Sequence, residues 1–195
     1  MRNQAQAESD VEIATRLYKA RKFKESIPYF EKALSNPAMA GEKSDLLTVL
    51  GNCYNEIDEF EKSLEYHTQA IQADPKNHRA YVNKGIVHRL LAQYDEAEEC
   101  YNQALKLQPN YAELHASLGA LYLYQEKYED AIKRLEKSIA LDGTLPVAHS
   151  NLSIVYASVG RFDDAEKELE KAKALGYHQP EVIRQRIDMR KNSQK

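Results

Sequence analysis

The chain has 195 residues, 43% of them hydrophobic, with 27 basic and 30 acidic side chains and a net charge of −3. That is enough chain to bury a large apolar core, and the nearly balanced charge gives no electrostatic reason to expect nucleic acid as a partner. With 7 glycines and 6 prolines against a background of Ala, Leu, Glu and Lys, the composition argues for a mostly helical chain.

Residues 1–10 are polar and hold no apolar stretch of the kind a secretory signal needs. A first unit follows through Ala14, Phe23, Ser26, Phe30 and Ala33, with Pro28 early in its second helix, where a missing backbone donor is tolerated. Asn36, Pro37 and Gly41 then lengthen the connection to the next unit. From there a period appears. Leu50-Gly51-Asn52-Cys53-Tyr54 is answered by Lys84-Gly85-Ile86-Val87-His88, by Leu118-Gly119-Ala120-Leu121-Tyr122 and by Leu152-Ser153-Ile154-Val155-Tyr156. The second residue of each falls at 51, 85, 119 and 153, a step of 34 every time. Phe60, Tyr94, Tyr128 and Phe162 keep the same step, as do Ser63, Ala97, Ala131 and Ala165, then Ala70, Ala104, Ser138 and Ala172. Pro75 and Pro109 close two of the units, where a helix must stop. Small residues at two fixed places let two helices of a unit approach closely, and the aromatic at the turn fills the gap between them. No unit buries its apolar face alone, so stability is expected from stacking.

Cys53 and Cys100 make no disulfide framework and no metal-ligand motif, and they read as packing residues in a reducing, cytoplasmic setting. The longest stretch without Asp, Glu, Lys or Arg, residues 143–160, contains Pro146, His149, Ser150 and Asn151 and is a poor membrane span. After Gly176, residues 180–191 carry Val182, Ile183 and Ile187 on one stripe, with Arg184, Arg186, Arg190 and Lys191 on much of the rest. That is the pattern of a helix capping the last open face.

The period, the two small positions, the aromatic and the closing proline resemble the tetratricopeptide-repeat family, over roughly residues 7–177. The resemblance implies an all-α fold: a right-handed superhelix of about five helix-turn-helix repeats (7–40, 44–77, 78–111, 112–145, 146–177) and a capping helix, one domain over 1–195. The chain departs from the family where Leu47, Tyr81, His115 and His149 replace a frequent Trp, and where Gly143 and Tyr177 replace the closing proline. Function then follows as expectation: a protein or peptide partner held in a concave groove, or self-association into a scaffold. No cofactor, metal, membrane insertion or enzymatic activity is expected. The six histidines form no HExxH motif, no phosphate-binding glycine loop exists, and the carboxylates from Asp163 to Glu170 alternate with lysines as a solvated helix face.

In this family the first helix of each unit lines the groove. Register then nominates Glu8, Val11, Thr15, Tyr18 and Lys19, followed by Asp45, Thr48, Asn52, Asn55 and Glu56. Arg79, Val82, Asn83, Ile86, Arg89 and Leu90 come next, then Glu113, Ala116, Ser117, Ala120, Leu123 and Tyr124, and finally Val147, Ser150, Asn151, Ile154 and Ala157. The groove is graded, from polar and acidic through cationic at Arg79 and Arg89 to apolar at its C-terminal end. Ten of these residues are the expected peptide-binding set: Asn52, Arg79, Asn83, Ile86, Arg89, Ser117, Leu123, Tyr124, Asn151 and Ile154. The carboxylate clamp known in this family does not fit, because Thr48, Glu113 and Ser117 stand where its cations belong. Asn83 and Asn151 do match the asparagine ladder of O-linked N-acetylglucosamine transferase superhelices, although Ser117 interrupts it.

Overall fold

The computed structural model describes residues 9–193, so Glu8 and the start of the first repeat lie outside it. Eleven α-helices and one 3-10 segment make up these residues, and no strand occurs among them. The helices run α1 (Asp10–Lys19), α2 (Phe23–Leu34), α3 (Lys43–Asn55), α4 (Phe60–Ala73), α5 (His78–Leu90) and α6 (Tyr94–Leu107). Then come α7 (Ala112–Tyr124), α8 (Tyr128–Leu141), α9 (Pro146–Ser158), α10 (Phe162–Ala174) and α11 (Pro180–Ser193).

Four of the first helices, α1, α3, α7 and α9, end in the same way. In the first repeat the Lys22 amide donates to the Leu17 carbonyl and the Arg21 amide to Tyr18, with Arg21 left-handed at φ 57°. Asp58, Glu126 and Gly160 repeat the device, with Glu59, Lys127 and Arg161 closing back onto Tyr54, Tyr122 and Tyr156. This six-to-one closure stops the helix and aims the chain so that the aromatic two residues later opens the second helix. Between repeats a different turn operates, in which Asp74 and Asp142 accept the backbone amides of Lys76 and Thr144 on their side chains.

The small positions do what their size allows. An added Cβ at Gly51 would lie 2.5 Å from the His67 ring, and one at Gly119 would lie 2.5 Å from Leu135. Where hydroxyls replace hydrogen, they bond across the crossing: Ser63 donates to the Gly51 carbonyl at 2.8 Å, and Ser153 to that of Ala165 at 2.7 Å. Buried Leu50, Leu121, Leu135 and Leu169 fill the space between helices, each contributing roughly 1.5–3 kcal/mol by leaving water.

The chain forms two compact units that divide between Leu91 and Ala92, within the third repeat. In the first, α1 pairs with α2 and α3 with α4, while α5 lies against α4 and α3. Its long first connection is the 3-10 segment Pro37–Glu42, capped by Asn36 accepting the Ala38 amide. Pro28 is the sixth residue of α2, past the first turn where its missing donor would be tolerated. The helix continues through it, with Pro28 on the exposed side, where the orphaned carbonyl of the preceding turn meets water. In the second unit α6 lies against α7, α7 pairs with α8 and α9 with α10, and α11 covers both α9 and α10. Helix α11 runs two residues beyond the expected 180–191, and Pro180 stands one 34-residue step after Pro146. It is the first helix of a sixth unit used as a lid: Ile183 and Ile187 are 2% and 1% exposed.

Candidate interaction site

In the first unit the nominated polar residues meet one another. Asn83 donates its amide to Oδ1 of Asn52 at 2.7 Å, linking α5 to α3. A carboxamide has two donors and an acceptor oxygen with two lone pairs, so this chain uses part of the capacity of each asparagine. Arg79 is exposed, while Ile86 and Arg89 are half-buried on the same helix.

One nominated position is not surface at all. Thr48, Val82, Ala116 and Ser150, each one repeat apart, are buried at 6%, 5%, 2% and 1% exposure. Helices α3 and α7 contact the next first helix of their own unit, α5 and α9, and such close neighbours leave this stripe no room for a ligand. Thr48 is instead an acceptor for Asn77, which also donates to Ser44 and caps α5 at the Ala80 amide.

The second unit holds a cavity of about 660 Å³. Leu123 and Tyr124 from the end of α7 and Ile154 and Ala157 from α9 form its apolar side, with Asn151 and Ser158 beside them. Tyr128 and Glu126 close it at the α7–α8 turn, and α11 supplies the opposite wall through Arg186, Ile187, Met189 and Arg190. Four residues of the expected peptide-binding set, Leu123, Tyr124, Asn151 and Ile154, therefore share one cavity with the nominated Ala157. Tyr124 is 58% exposed, unusual for an aromatic without a role at a surface. Ser117, half-buried on α7, turns its hydroxyl back to the Glu113 carbonyl and does not line it. The α11 wall was missed from the sequence, where Arg186 and Arg190 read as the basic side of a cap and Ile187 as part of its apolar stripe. Their spacing was the available signal, since Arg186 and Arg190 sit four apart on a helix.

Three of the six histidines hold buried, structural places: His67, His115 and His149. His67 is fully buried over Gly51, and burial first, then the charge of Lys84, holds it down at about 4. His115 points Nε2 at the Pro109 carbonyl at 3.0 Å, and burial lowers its pKa. His149, one repeat later, spans Glu168 at 2.6 Å and the Gly143 carbonyl at 3.2 Å, tying α9 to α10 and to the turn before it. The nominated packing role of Cys53 matches its complete burial, which raises its thiol pKa and makes a poor nucleophile. Among the described residues no group of three or more His, Cys, Asp or Glu could hold a metal, and no helix is long and apolar enough to cross a membrane.

A further recurring contact joins neighbouring repeats. Tyr54 donates to Glu31, Tyr122 to Glu98 and Tyr156 to Glu136, each reaching from a first helix to the second helix of the preceding repeat at 3.0–3.1 Å. Lys62, Lys127 and Arg161 lie over the three rings at 5.2, 5.8 and 4.1 Å. Burial and then the carboxylate raise the pKa of each phenol.

Known proteins share this organisation. Family models described as tetratricopeptide repeat match residues 11–78, 77–143 and 122–184. A segment of 64 residues is 36% identical to the transcription factor tau 131 kDa subunit of Saccharomyces cerevisiae, a match covering 33% of this chain and 6% of that protein. Among solved structures, a thermophilic TPR protein of Thermus thermophilus superposes with a TM-score of 0.77 at 20% identity, over 93% of this chain and 96% of that one. BtubC of P. vanneervenii gives 0.71 at 20%, over 87% and 81%, and MamA gives 0.65 at 22%, over 84% and 94%. At these identities the likeness is one of fold. Stacked repeats of this fold make protein–protein interaction modules and are typically non-catalytic scaffolds. Matched in three overlapping stretches from residue 11 to residue 184, the chain belongs to the tetratricopeptide-repeat family.

Proposed function

We propose that this chain captures a segment of a partner polypeptide, and that the second unit seats it in the cavity between α7, α9 and α11. The observation carrying this reading is the convergence of Leu123, exposed Tyr124 and Ile154 on one cavity of about 660 Å³ beside Asn151. Concave apolar space with a few polar groups is what a bound side chain needs, and aromatic anchors dominate such contacts. The Asn151 carboxamide suits a peptide unit, since it donates and accepts at once. In the first unit, Asn83 and Asn52 are proposed to hold backbone, Ile86 to offer apolar contact, and Arg79 and Arg89 to take acidic side chains; Ser117 is proposed as a further polar contact.

The test is affinity capture from source lysate, followed by titration of fragments of the partner so identified. Leu123→Ala, Tyr124→Ala and Ile154→Ala together should weaken the fragment by at least about tenfold, or 1.4 kcal/mol, with helicity unchanged by circular dichroism. Asn83→Ala with Arg89→Ala is the matching arm for the first unit. Unchanged affinity in the cavity variant would sink the reading. Self-association is the second reading, favoured by Val182 and Met189 on α11, 44% and 73% exposed; a mass above the monomer in light scattering, restored to monomer by Met189→Lys, would support it.

A further inference from the structure

We propose that Met189 is a modification site, at which a peroxide transfers an oxygen atom to the side-chain sulfur, and that the sulfoxide so formed lowers the affinity of the cavity for an apolar ligand. This deepens the reading above and rests on it.

The described residues carry four side-chain sulfurs, on Met39, Cys53, Cys100 and Met189. Cys53 is fully buried, and Met39 and Cys100 are half-buried. Met189 stands apart: at 73% it is the most exposed large apolar side chain among the described residues. An oxidant in solution reaches its sulfur without any opening of the fold. A thiol must first lose its proton to react, whereas a thioether reacts as it stands. The step is an oxygen transfer. A lone pair on Sδ attacks one oxygen of hydrogen peroxide, an S–O bond forms and the O–O bond breaks. The departing hydroxide takes the proton left on the transferred oxygen and becomes water. Sulfur gives up two electrons and the peroxide gains them. The product is polar where the thioether was apolar.

Where that change falls decides its effect. Ile183 and Ile187 are buried and Arg184 pairs with Glu170 and Glu166, so α11 is anchored by side chains other than Met189. The fold removes little of Met189 from water, and its oxidation therefore takes little from stability. The same side chain lines the cavity together with Leu123, Tyr124 and Ile154. A ligand seated there covers the sulfur. That suits a soft, polarizable thioether and penalises an S=O dipole, which has to shed its water. Oxidation at Met39 would act on the fold instead, because that side chain packs against the core of the first unit.

The probe is Nile red, a neutral dye that emits strongly only in apolar surroundings, titrated against the full chain. Tyr124→Ala should weaken its binding, which locates the dye in the cavity. Hydrogen peroxide should add one oxygen to residue 189 ahead of Met39, read by peptide mass spectrometry. The dye should then bind at least about fivefold more weakly, with helicity and the urea midpoint unmoved. Methionine sulfoxide reductases of both stereospecificities, driven by dithiothreitol, should restore the affinity. Met189→Leu should bind the dye as the parent chain does and ignore peroxide. Oxygen gained at Met39 and not at Met189, or at Met189 with the dye affinity unchanged, overturns the proposal and leaves the cavity reading in place. Weakening that persists in Met189→Leu overturns it too, by assigning the effect to another sulfur. A urea midpoint lowered by peroxide in the parent chain and not in Met189→Leu overturns it in favour of damage to the packing of α11. Dye binding indifferent to Tyr124→Ala removes the cavity reading and this inference together.

Discussion

His67 is the residue at which the repeat pattern and the chemistry pull apart. It stands one step of 34 before Tyr101 and two and three steps before Leu135 and Leu169, all fully buried. Both its ring nitrogens lie without a hydrogen-bond partner among the described residues, and burial keeps the ring neutral down to about 4. The unfolded chain takes up a proton near 6.5, so between these values only the unfolded state gains it. Stability from this site is thus complete above 6.5 and is lost as pH falls toward 4, a span of 2.5 pKa units, or about 3 kcal/mol. His67→Leu, which copies the Leu135 solution over Gly119, should raise the urea midpoint and flatten its dependence on pH from 6.5 to 4. An unchanged pH profile would place the acid sensitivity elsewhere. The sequence shows that His67 occupies a packing position. It does not show that nothing answers its nitrogens, because that depends on which neighbours turn polar atoms inward.

The elements themselves were almost wholly legible, because the signals that define a repeat are local: an aromatic after the turn, small residues at the crossing, a closure six residues long. What periodicity hides is the strain inside the turns. Arg21, Asp58, Ala92 and Glu126 are held left-handed at φ 56–61°, whereas the same turn of the fifth repeat has Gly160, a residue that adopts this conformation freely. For an alanine or glutamate the conformation costs roughly 1–2 kcal/mol, part of which glycine gives back as chain entropy. Ala92→Gly and Glu126→Gly should each stabilise by about 0.5–1 kcal/mol in chemical unfolding, and Gly160→Ala should cost about 1 kcal/mol. The opposite signs would show that side-chain contacts at these turns outweigh the backbone. The stripe of Thr48 and its equivalents escaped sequence reading for a related reason, since register tells which way a side chain points but not how near the next helix comes.

For the whole molecule, the helices contact near neighbours within each unit, so damage at one end should stay there. Ile183→Ala removes a side chain that is 2% exposed under α11, a change of about 2–5 kcal/mol. Hydrogen exchange should then quicken in α9 to α11 while α1 to α4 keep their protection, and the urea transition should broaden as the C-terminal helices leave first. A uniform loss of protection would mean that the chain unfolds as one cooperative block. The candidate site was legible in part at this scale: Leu123, Tyr124, Asn151 and Ile154 follow from the repeat, whereas Arg186 and Arg190 reach the cavity through the packing of α11, which buries Ile183 and Ile187 and pairs Arg184 with Glu170. The division between Leu91 and Ala92 was not legible, as it falls inside a repeat.

The tyrosine-to-glutamate contacts have an optical consequence. This chain has 13 tyrosines and no tryptophan to mask them. A phenol hydrogen-bonded to a carboxylate loses its proton readily in the excited state, a path that dims its emission. Tyr54, Tyr122 and Tyr156 are bonded in this way only while one repeat rests on the one before it. The molecule therefore carries its own gauge of stacking: its ultraviolet glow should brighten, repeat by repeat, as the solenoid comes apart.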